Sequence, residues 1–249
     1  MNRLQSELRR LYLPNPAADP GADATAPDLI DAGGRVRAMV LELARPASWE
    51  LLSKVWRGVQ ADLEWPAPAI AVSGTDGFQL WFSLAEPLPV AQAHAFLVLL
   101  CARYLNDVAP TRLRLMPMLD ASAPHAALHA PWVPQEQAGT GYWSAFVAQD
   151  LAPVFAETPW LDTPPGTDGQ ADLLARLGSI KRAAFEAASE RLRPSAPALA
   201  TANADPGLTP SPQPAAPPGS LEARRFLMRV MNDEAVALAL RIEAAKALL

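Results

Sequence analysis

The chain has 249 residues, half of them hydrophobic, and a formal net charge of −5 at pH 7. This length allows one large domain or two small ones. The negative net charge excludes a protein that coats nucleic acid with a broadly basic surface, but it does not exclude a local basic groove. Cys101 is the single cysteine, which excludes an internal disulfide and a cysteine-based zinc site. We expect Cys101 to be a small buried hydrophobic residue.

The sequence predicts a cytoplasmic protein with no membrane segment. Residues 1–13 contain several arginines and no continuous apolar run, so they are not typical of a secretory signal. The longest apolar stretch, 95–102, is much shorter than the roughly 20 residues that a membrane span needs. The frequent use of alanine, proline and arginine is typical of a GC-rich bacterial genome.

The first 34 residues predict a short helix followed by a flexible lead. Leucines lie on one side of an amphipathic helix over residues 1–13. Residues 14–34 are rich in proline and glycine and show little apolar periodicity. We therefore place residues 1–34 outside the main domain.

The following segment alternates strands and helices in an order typical of a small α+β domain. Strands are predicted over residues 36–43, 69–72, 78–84 and 112–116, and helices over 47–63 and 90–105. This order, strand, helix, strand, strand, helix and strand, is that of the ferredoxin-like or RRM-like βαββαβ arrangement. Its antiparallel sheet would carry both helices on one face and leave the other face free.

The rest of the chain predicts added helices, a linker and a terminal hairpin. Helices are expected over residues 142–155 and, as one long amphipathic helix, over 168–193, so the main domain covers 35–193. Residues 194–219 are mostly proline, alanine, serine, threonine and glycine, which is typical of a linker. Residues 220–249 predict a helical hairpin. Because it is too small to fold alone, we expect it to dock onto a partner, a second copy or the main domain.

Four side chains on two predicted strands are candidates for binding nucleic acid. Arg112 and Arg114 alternate along one strand, and Gln79 and Trp81 lie on one side of another. Exposed aromatic and arginine side chains on a sheet suit single-stranded nucleic acid, since bases stack and phosphates pair. The alternatives are an edge strand with solvated arginines, or a sheet face covered by the helix around Trp143.

Two loops carry weaker signals. The turn from Ser73 and Gly74 to Gly77 could hold a phosphate through backbone N–H groups. A strand follows it, so it is neither a P-loop nor a dinucleotide fingerprint, and it equally suits a plain hairpin turn. His125 and His129 are four residues apart, which would suit a metal on a helix, but flanking prolines favour ordinary loop histidines. We predict no metal site.

Three short motifs follow one another in the predicted βαββαβ segment: MVLELA at 39–44, PAIAVSG at 68–74, and GFQLWFSL at 77–84 with Pro87 after it. On these motifs the stretch from Val36 to Pro117 resembles the palm of the archaeo-eukaryotic primase superfamily, which includes bacterial and mobile-element primase-polymerases. The resemblance implies a ferredoxin-like palm. In that family two acidic residues hold divalent metals for nucleotidyl transfer, and a histidine contacts the nucleotide phosphates.

The chain departs from the family at these positions. The first acidic position aligns with Glu42 and the second with Ala44, and the histidine aligns with Gln79. The later acidic strand is replaced by the run from Arg112 to Leu115. A single glutamate offers too few oxygen ligands to hold a hard divalent cation. The resemblance therefore implies a palm that has lost catalysis.

Three functions are compatible with this sequence. The first is a non-catalytic, primase-palm-like protein of replication or a mobile element, which binds single-stranded DNA, RNA or a nucleotide and needs no cofactor. The second is a protein-interaction adaptor that acts through residues 220–249, with a protein partner or by self-association. The third is an active nucleotidyltransferase that uses Mg²⁺ or Mn²⁺ at Glu42 with another carboxylate, such as Asp76 or Asp120.

Overall fold

The computed structural model describes residues 2–15, 28–119 and 127–193. The helices in these residues are α1 Arg3–Tyr12, α2 Trp49–Ala61, α3 Val90–Tyr104, α4 Thr167–Ala175 and α5 Arg182–Leu192. The strands are β1 Arg35–Ala44, β2 Ala69–Val72, β3 Gly77–Pro89, β4 Leu113–Met116, β5 Met118–Leu119, β6 Ala127–Leu128 and β7 Ala145–Val147. No helix in these ranges is long and apolar enough to cross a membrane. The predicted linker and hairpin, 194–249, lie outside the described residues.

The centre of the fold is a five-stranded antiparallel sheet in the order β4–β1–β3–β2–β7. Strand β1 pairs with β3 on one side and with the short β4 on the other. Strand β2 pairs with β3 and with β7, while β5 and β6 form a separate small hairpin. The predicted α+β class is confirmed.

One face of the sheet packs against α2, α3 and α5. Because side chains alternate along a strand, every second residue of β1 and β3 enters this core: Met39, Leu41, Leu43, Phe78, Leu80, Phe82 and Leu84. Ser48 caps α2 by accepting a hydrogen bond from the Leu51 N–H at 3.3 Å. Cys101 on α3 is buried as expected, and burial raises the pKa of its thiol to about 12.

The opposite face of the sheet is covered, so the prediction of an open face is wrong. Helices α1 and α4 pack there over a second apolar cluster that includes Val40, Trp81 and Phe146. Tyr12 at the end of α1 lies edge-on to Trp81, with ring centroids 5.2 Å apart. The sequence analysis placed this helix in a lead outside the main domain. In the structure, the apolar side of the helix covers this face of the sheet.

Arg37 fixes α1 to the sheet. Its guanidinium is buried, and it donates hydrogen bonds to the carbonyl oxygens of Leu84 on β3 at 2.8 Å, Leu13 at 3.2 Å and Arg10 at 3.0 Å. Two of these acceptors lie at the C-terminal end of α1, where a helix leaves carbonyl groups without intrahelical partners. One side chain therefore satisfies the end of a helix and joins it to β3.

The predicted helix over 142–155 is wrong. This segment contains the strand β7 and a 3₁₀ turn, Ala152–Phe155. The strand forms because its backbone is paired on both sides. It pairs with β2 on one side, and on the other the Gln170 side-chain amide bonds both the N–H and the carbonyl of Phe146.

Three other boundaries differ from the prediction. Strand β3 continues past the predicted end at residue 84 to Pro89, because its last residues pair with Arg35 and Val36 of β1. The long helix over 168–193 is two helices, because the backbone of Ile180 leaves the helical ladder to bond Ser83 and Ala85 of β3. The predicted flexible lead is ordered at its end, where Leu29 is buried and Ile30 bridges to Val36.

Replacing Arg37 with alanine should lower the free energy of unfolding by about 3 kcal/mol, because three carbonyl groups lose a charged donor. Urea unfolding measures the change. Arg3→Ala is the matched control on the same helix, since Arg3 forms an exposed ion pair with Asp172 at 2.6 Å. Exposed pairs contribute less than about 1 kcal/mol. Equal losses in the two variants would contradict the assigned role of Arg37.

Candidate functional site

A polar cluster lies where β1 is flanked by β3 and β4. The antiparallel register places Glu42 of β1 opposite Gln79 of β3 and Arg114 of β4. Side chains directly opposite each other in a sheet are close enough to interact. We use the name polar cluster for six residues: Glu42, Arg45, Asp76, Gln79, Trp81 and Arg114.

Glu42 is the buried centre of the polar cluster. Its side chain is 4% exposed. One carboxylate oxygen accepts from Gln79 Nε2 at 2.8 Å, and the other accepts from Arg114 Nη1 at 2.5 Å. Trp81 Nε1 donates to Gln79 Oε1 at 2.8 Å. Because the indole can only donate, it fixes the orientation of the Gln79 amide, which directs its N–H toward Glu42.

Asp76 is the second carboxylate of the polar cluster. It accepts from Arg45 Nε at 2.8 Å, and its other oxygen lies 3.7 Å from Arg114 Nη1. Burial raises the pKa of Asp76, but the hydrogen bond from Arg45 and the charges of Arg114 and Arg45 outweigh it, so the pKa lies below its ordinary value. The carboxylates of Glu42 and Asp76 therefore flank one guanidinium nitrogen.

The outer part of the polar cluster is exposed. The Arg45 side chain is 69% exposed and the Arg114 side chain 44%. Arg45 has a left-handed backbone with φ of +56°, which is uncommon outside glycine. The sequence analysis missed Arg45, and the signal that could have found it is its place directly after the strand that carries Glu42.

Gln79 and Trp81 do not form an exposed stacking surface. Both side chains are buried, at 2% and 1% exposure. Arg112 is also occupied, since it donates to the carbonyl oxygens of Ala44 at 3.2 Å and Pro46 at 2.7 Å. Arg112 thus holds the connection between β1 and α2, and of the four strand candidates only Arg114 combines a charge with exposure.

The turn between β2 and β3 is a hairpin connection, and four of its N–H groups already donate hydrogen bonds within the protein. Ser73 N donates to Gly77 O, Gly74 N to Pro159 O, and the Thr75 and Gly77 N–H groups to Ser73 Oγ. Gly74 has φ of +79°, and a Cβ there would lie 2.8 Å from the Ser144 nitrogen, so only glycine fits. These contacts leave few backbone N–H groups of the turn free to bind a phosphate.

The histidines in the described residues bond the backbone. His129 Nδ1 accepts from the Ala130 N–H at 2.8 Å, so the proton is on Nε2, which lies 3.1 Å from Ala38 O. His94 Nδ1 lies 2.9 Å from Pro117 O. His125 lies outside the described residues. In the described part of the chain, no three His, Cys, Asp or Glu side chains are grouped so as to hold a metal.

No model of a protein family matches the chain, and no curated protein matches its sequence.

His129 should make stability fall in mildly acidic solution. Burial lowers the pKa of His129 from 6.5 to about 4. A histidine with a lowered folded-state pKa contributes its full stability above about pH 6.5 and loses it as the pH falls toward 4. We expect a loss on the order of 2 kcal/mol across this window.

Urea unfolding at pH 7, 6, 5 and 4.5 measures this loss. His129→Gln should show a flatter decline than the wild type, because glutamine does not titrate. His94→Gln leaves His129 in place and should keep the wild-type decline. Parallel curves for the wild type and His129→Gln would contradict the assignment.

Proposed function

We propose that this chain is a non-catalytic, primase-palm-like protein of the bacterial cytoplasm that binds single-stranded nucleic acid in replication or in a mobile element. The observation that carries the proposal is the pair of exposed guanidinium groups, Arg45 and Arg114, on either side of Asp76. The ligand phosphates would contact these two arginines.

The order of the strands supports a ferredoxin-like core. Strands β4–β1–β3–β2 are neighbours in that order, and each pair is antiparallel. Helix α2 connects β1 to β2, which are separated in the sheet by β3. A split βαβ arrangement of ferredoxin-like type has this strand order, which supports the proposed core, with β7, α1 and α4 as additions to it.

The contacts of Glu42 support the absence of catalysis. A two-metal site needs several carboxylates with free lone pairs at one edge. Here both oxygens of Glu42 accept from protein side chains, and the Arg114 guanidinium lies beside Glu42 and Asp76, where a cation would be held. A fixed guanidinium neutralises the carboxylates but cannot activate a nucleotide.

The outer half of the polar cluster has the chemistry of a phosphate site. Guanidinium groups bind phosphate oxygens through charge-assisted, often bidentate hydrogen bonds. Asp76 occupies these groups in the free protein, but its side chain is 36% exposed, and exposed ion pairs contribute little free energy. A phosphate can therefore compete with Asp76 for Arg45 at a small cost.

Arg45→Gly should weaken binding to a labelled single-stranded oligonucleotide at low salt. The loss of one phosphate contact should lower the slope of log affinity against log salt by about one. Glycine is the suitable replacement because it adopts a positive φ without strain. Fluorescence anisotropy at several salt concentrations measures affinity and slope for DNA and RNA.

Two variants provide the controls for this experiment. Arg103→Ala removes a side chain of similar exposure, 63%, from the last turn of α3, and should leave binding unchanged. Asp76→Asn removes the competing carboxylate and should strengthen binding. The proposal is wrong if the wild type does not bind at low salt, or if Arg45→Gly and Arg103→Ala behave alike.

A primer-extension assay with Mg²⁺ or Mn²⁺ tests the absence of catalysis. We expect no metal-dependent incorporation of nucleotides, because Arg114 occupies the space beside Glu42. Incorporation by the wild type that disappears in Glu42→Gln would support the active nucleotidyltransferase instead. Binding without incorporation is the combination that the proposed function requires.

A further inference from the structure

A stacked aromatic pair lies in a segment that contacts the β2–β3 turn. The rings of Tyr142 and Trp160 have centroids 4.9 Å apart and planes 16° apart. Both side chains are partly exposed. The pair is held by the backbone, since Trp143 and Leu161 exchange two hydrogen bonds of 2.8 and 3.0 Å. Tyr142 comes directly before Trp143, and Trp160 directly before Leu161. The two are therefore diagonal neighbours across the paired segments, close enough for large aromatic rings to touch.

The β2–β3 turn contacts both the segment that carries Trp160 and the side chain of Arg45. Gly74 in the turn donates its N–H to Pro159 O at 3.0 Å, directly before Trp160. Two residues further along the same turn, Asp76 bonds Arg45. Two positions of one short turn, 74 and 76, therefore hold the segment of the rings and one of the two arginines.

The polar atoms of this pair have no internal role. Within residues 2–15, 28–119 and 127–193, neither Tyr142 Oη nor Trp160 Nε1 has a hydrogen-bond partner. The buried indoles differ, because Trp81 Nε1 donates to Gln79 and Trp65 Nε1 to the Ala184 carbonyl. Tyrosine and tryptophan that combine an exposed ring with a free donor are typical of binding surfaces.

We propose that the Tyr142–Trp160 pair stacks against an unpaired nucleobase while Arg45 and Arg114 contact the adjoining phosphates. This inference rests on the proposed function and makes it more specific. Bases in a duplex already stack on each other, so a protein ring can stack only on a base that is single-stranded or displaced. The ligand is therefore a single strand, and a duplex of the same sequence binds more weakly.

The acidic residues around the Tyr142–Trp160 pair allow its contribution to affinity to be measured apart from that of the arginines. Glu157 and Asp162 lie close to Trp160 along the chain and are exposed, so this side of the surface does not attract phosphate. Stacking depends little on salt, whereas phosphate contacts weaken as salt rises. The affinity that comes from the rings should therefore persist at salt concentrations where the arginine contribution is lost.

The test compares two labelled oligonucleotides of equal length, one of thymidines and one of abasic deoxyribose units with the same phosphates. Trp160→Ala should lower affinity for the thymidine strand by about tenfold or more and leave the abasic strand unchanged. Arg45→Gly should lower affinity for both. Trp160→Phe should restore most of the loss, and thermal unfolding of each variant checks the fold.

The outcomes distinguish the inference from the proposed function. If Trp160→Ala changes neither affinity, or changes both equally, the stacking role is wrong while phosphate binding stands. If the wild type binds neither strand at low salt, the proposed function fails and the inference fails with it. If Trp160→Ala does not fold, Tyr142→Leu provides a second variant. It should also lose the preference for the thymidine strand over the abasic strand.

Discussion

A carboxylate buried between three strands must be neutralised, and the way Glu42 is neutralised determines the arrangement around it. An unpaired charge in a protein interior is costly, so Glu42 requires Arg114 on one side and Gln79 on the other. Trp81 then orients Gln79, and Asp76 shares Arg114. This set of contacts joins β4 to β1, which the backbone pairs over only four positions.

The second constraint is the cover of the sheet face that carries Trp81. A βαββαβ core leaves that face open, but here the face is apolar and would be unstable in water. Helix α1 and helix α4 cover it from segments on either side of the core in sequence, and Arg37 joins the end of α1 to β3. The same cover that stabilises the sheet buries most of this face in the described residues, and the exposed side chains of the polar cluster, Arg45 and Arg114, lie at its edge near β4 and the β2–β3 turn.

The sequence predicts the elements of the core well and their contacts poorly. Period-two alternation in β3 and helical spacing in α2 and α3 are local signals, and the structure has these elements close to where the patterns place them. The extension of β3 to Pro89 depends on its pairing with β1. The division of residues 168–193 into two helices depends on backbone bonds between Ile180 and β3, and β7 depends on the Gln170 amide. Such contacts join residues far apart in sequence. Arg114 was identified from alternation alone, and Arg45 could have been found from its place directly after β1. The Tyr142–Trp160 pair becomes visible only when the loops are brought together.

A guanidinium beside two carboxylates determines which chemistry is available at this edge of the sheet. A divalent cation exchanges its ligands and can polarise a phosphate, whereas Arg114 is covalently attached and offers only hydrogen bonds and charge. The inner face of Arg114 is used by Glu42, so its remaining capacity points outward, toward Asp76 and solvent. An edge of this kind offers charge and hydrogen bonds to a ligand, but not the exchangeable coordination positions of a metal ion.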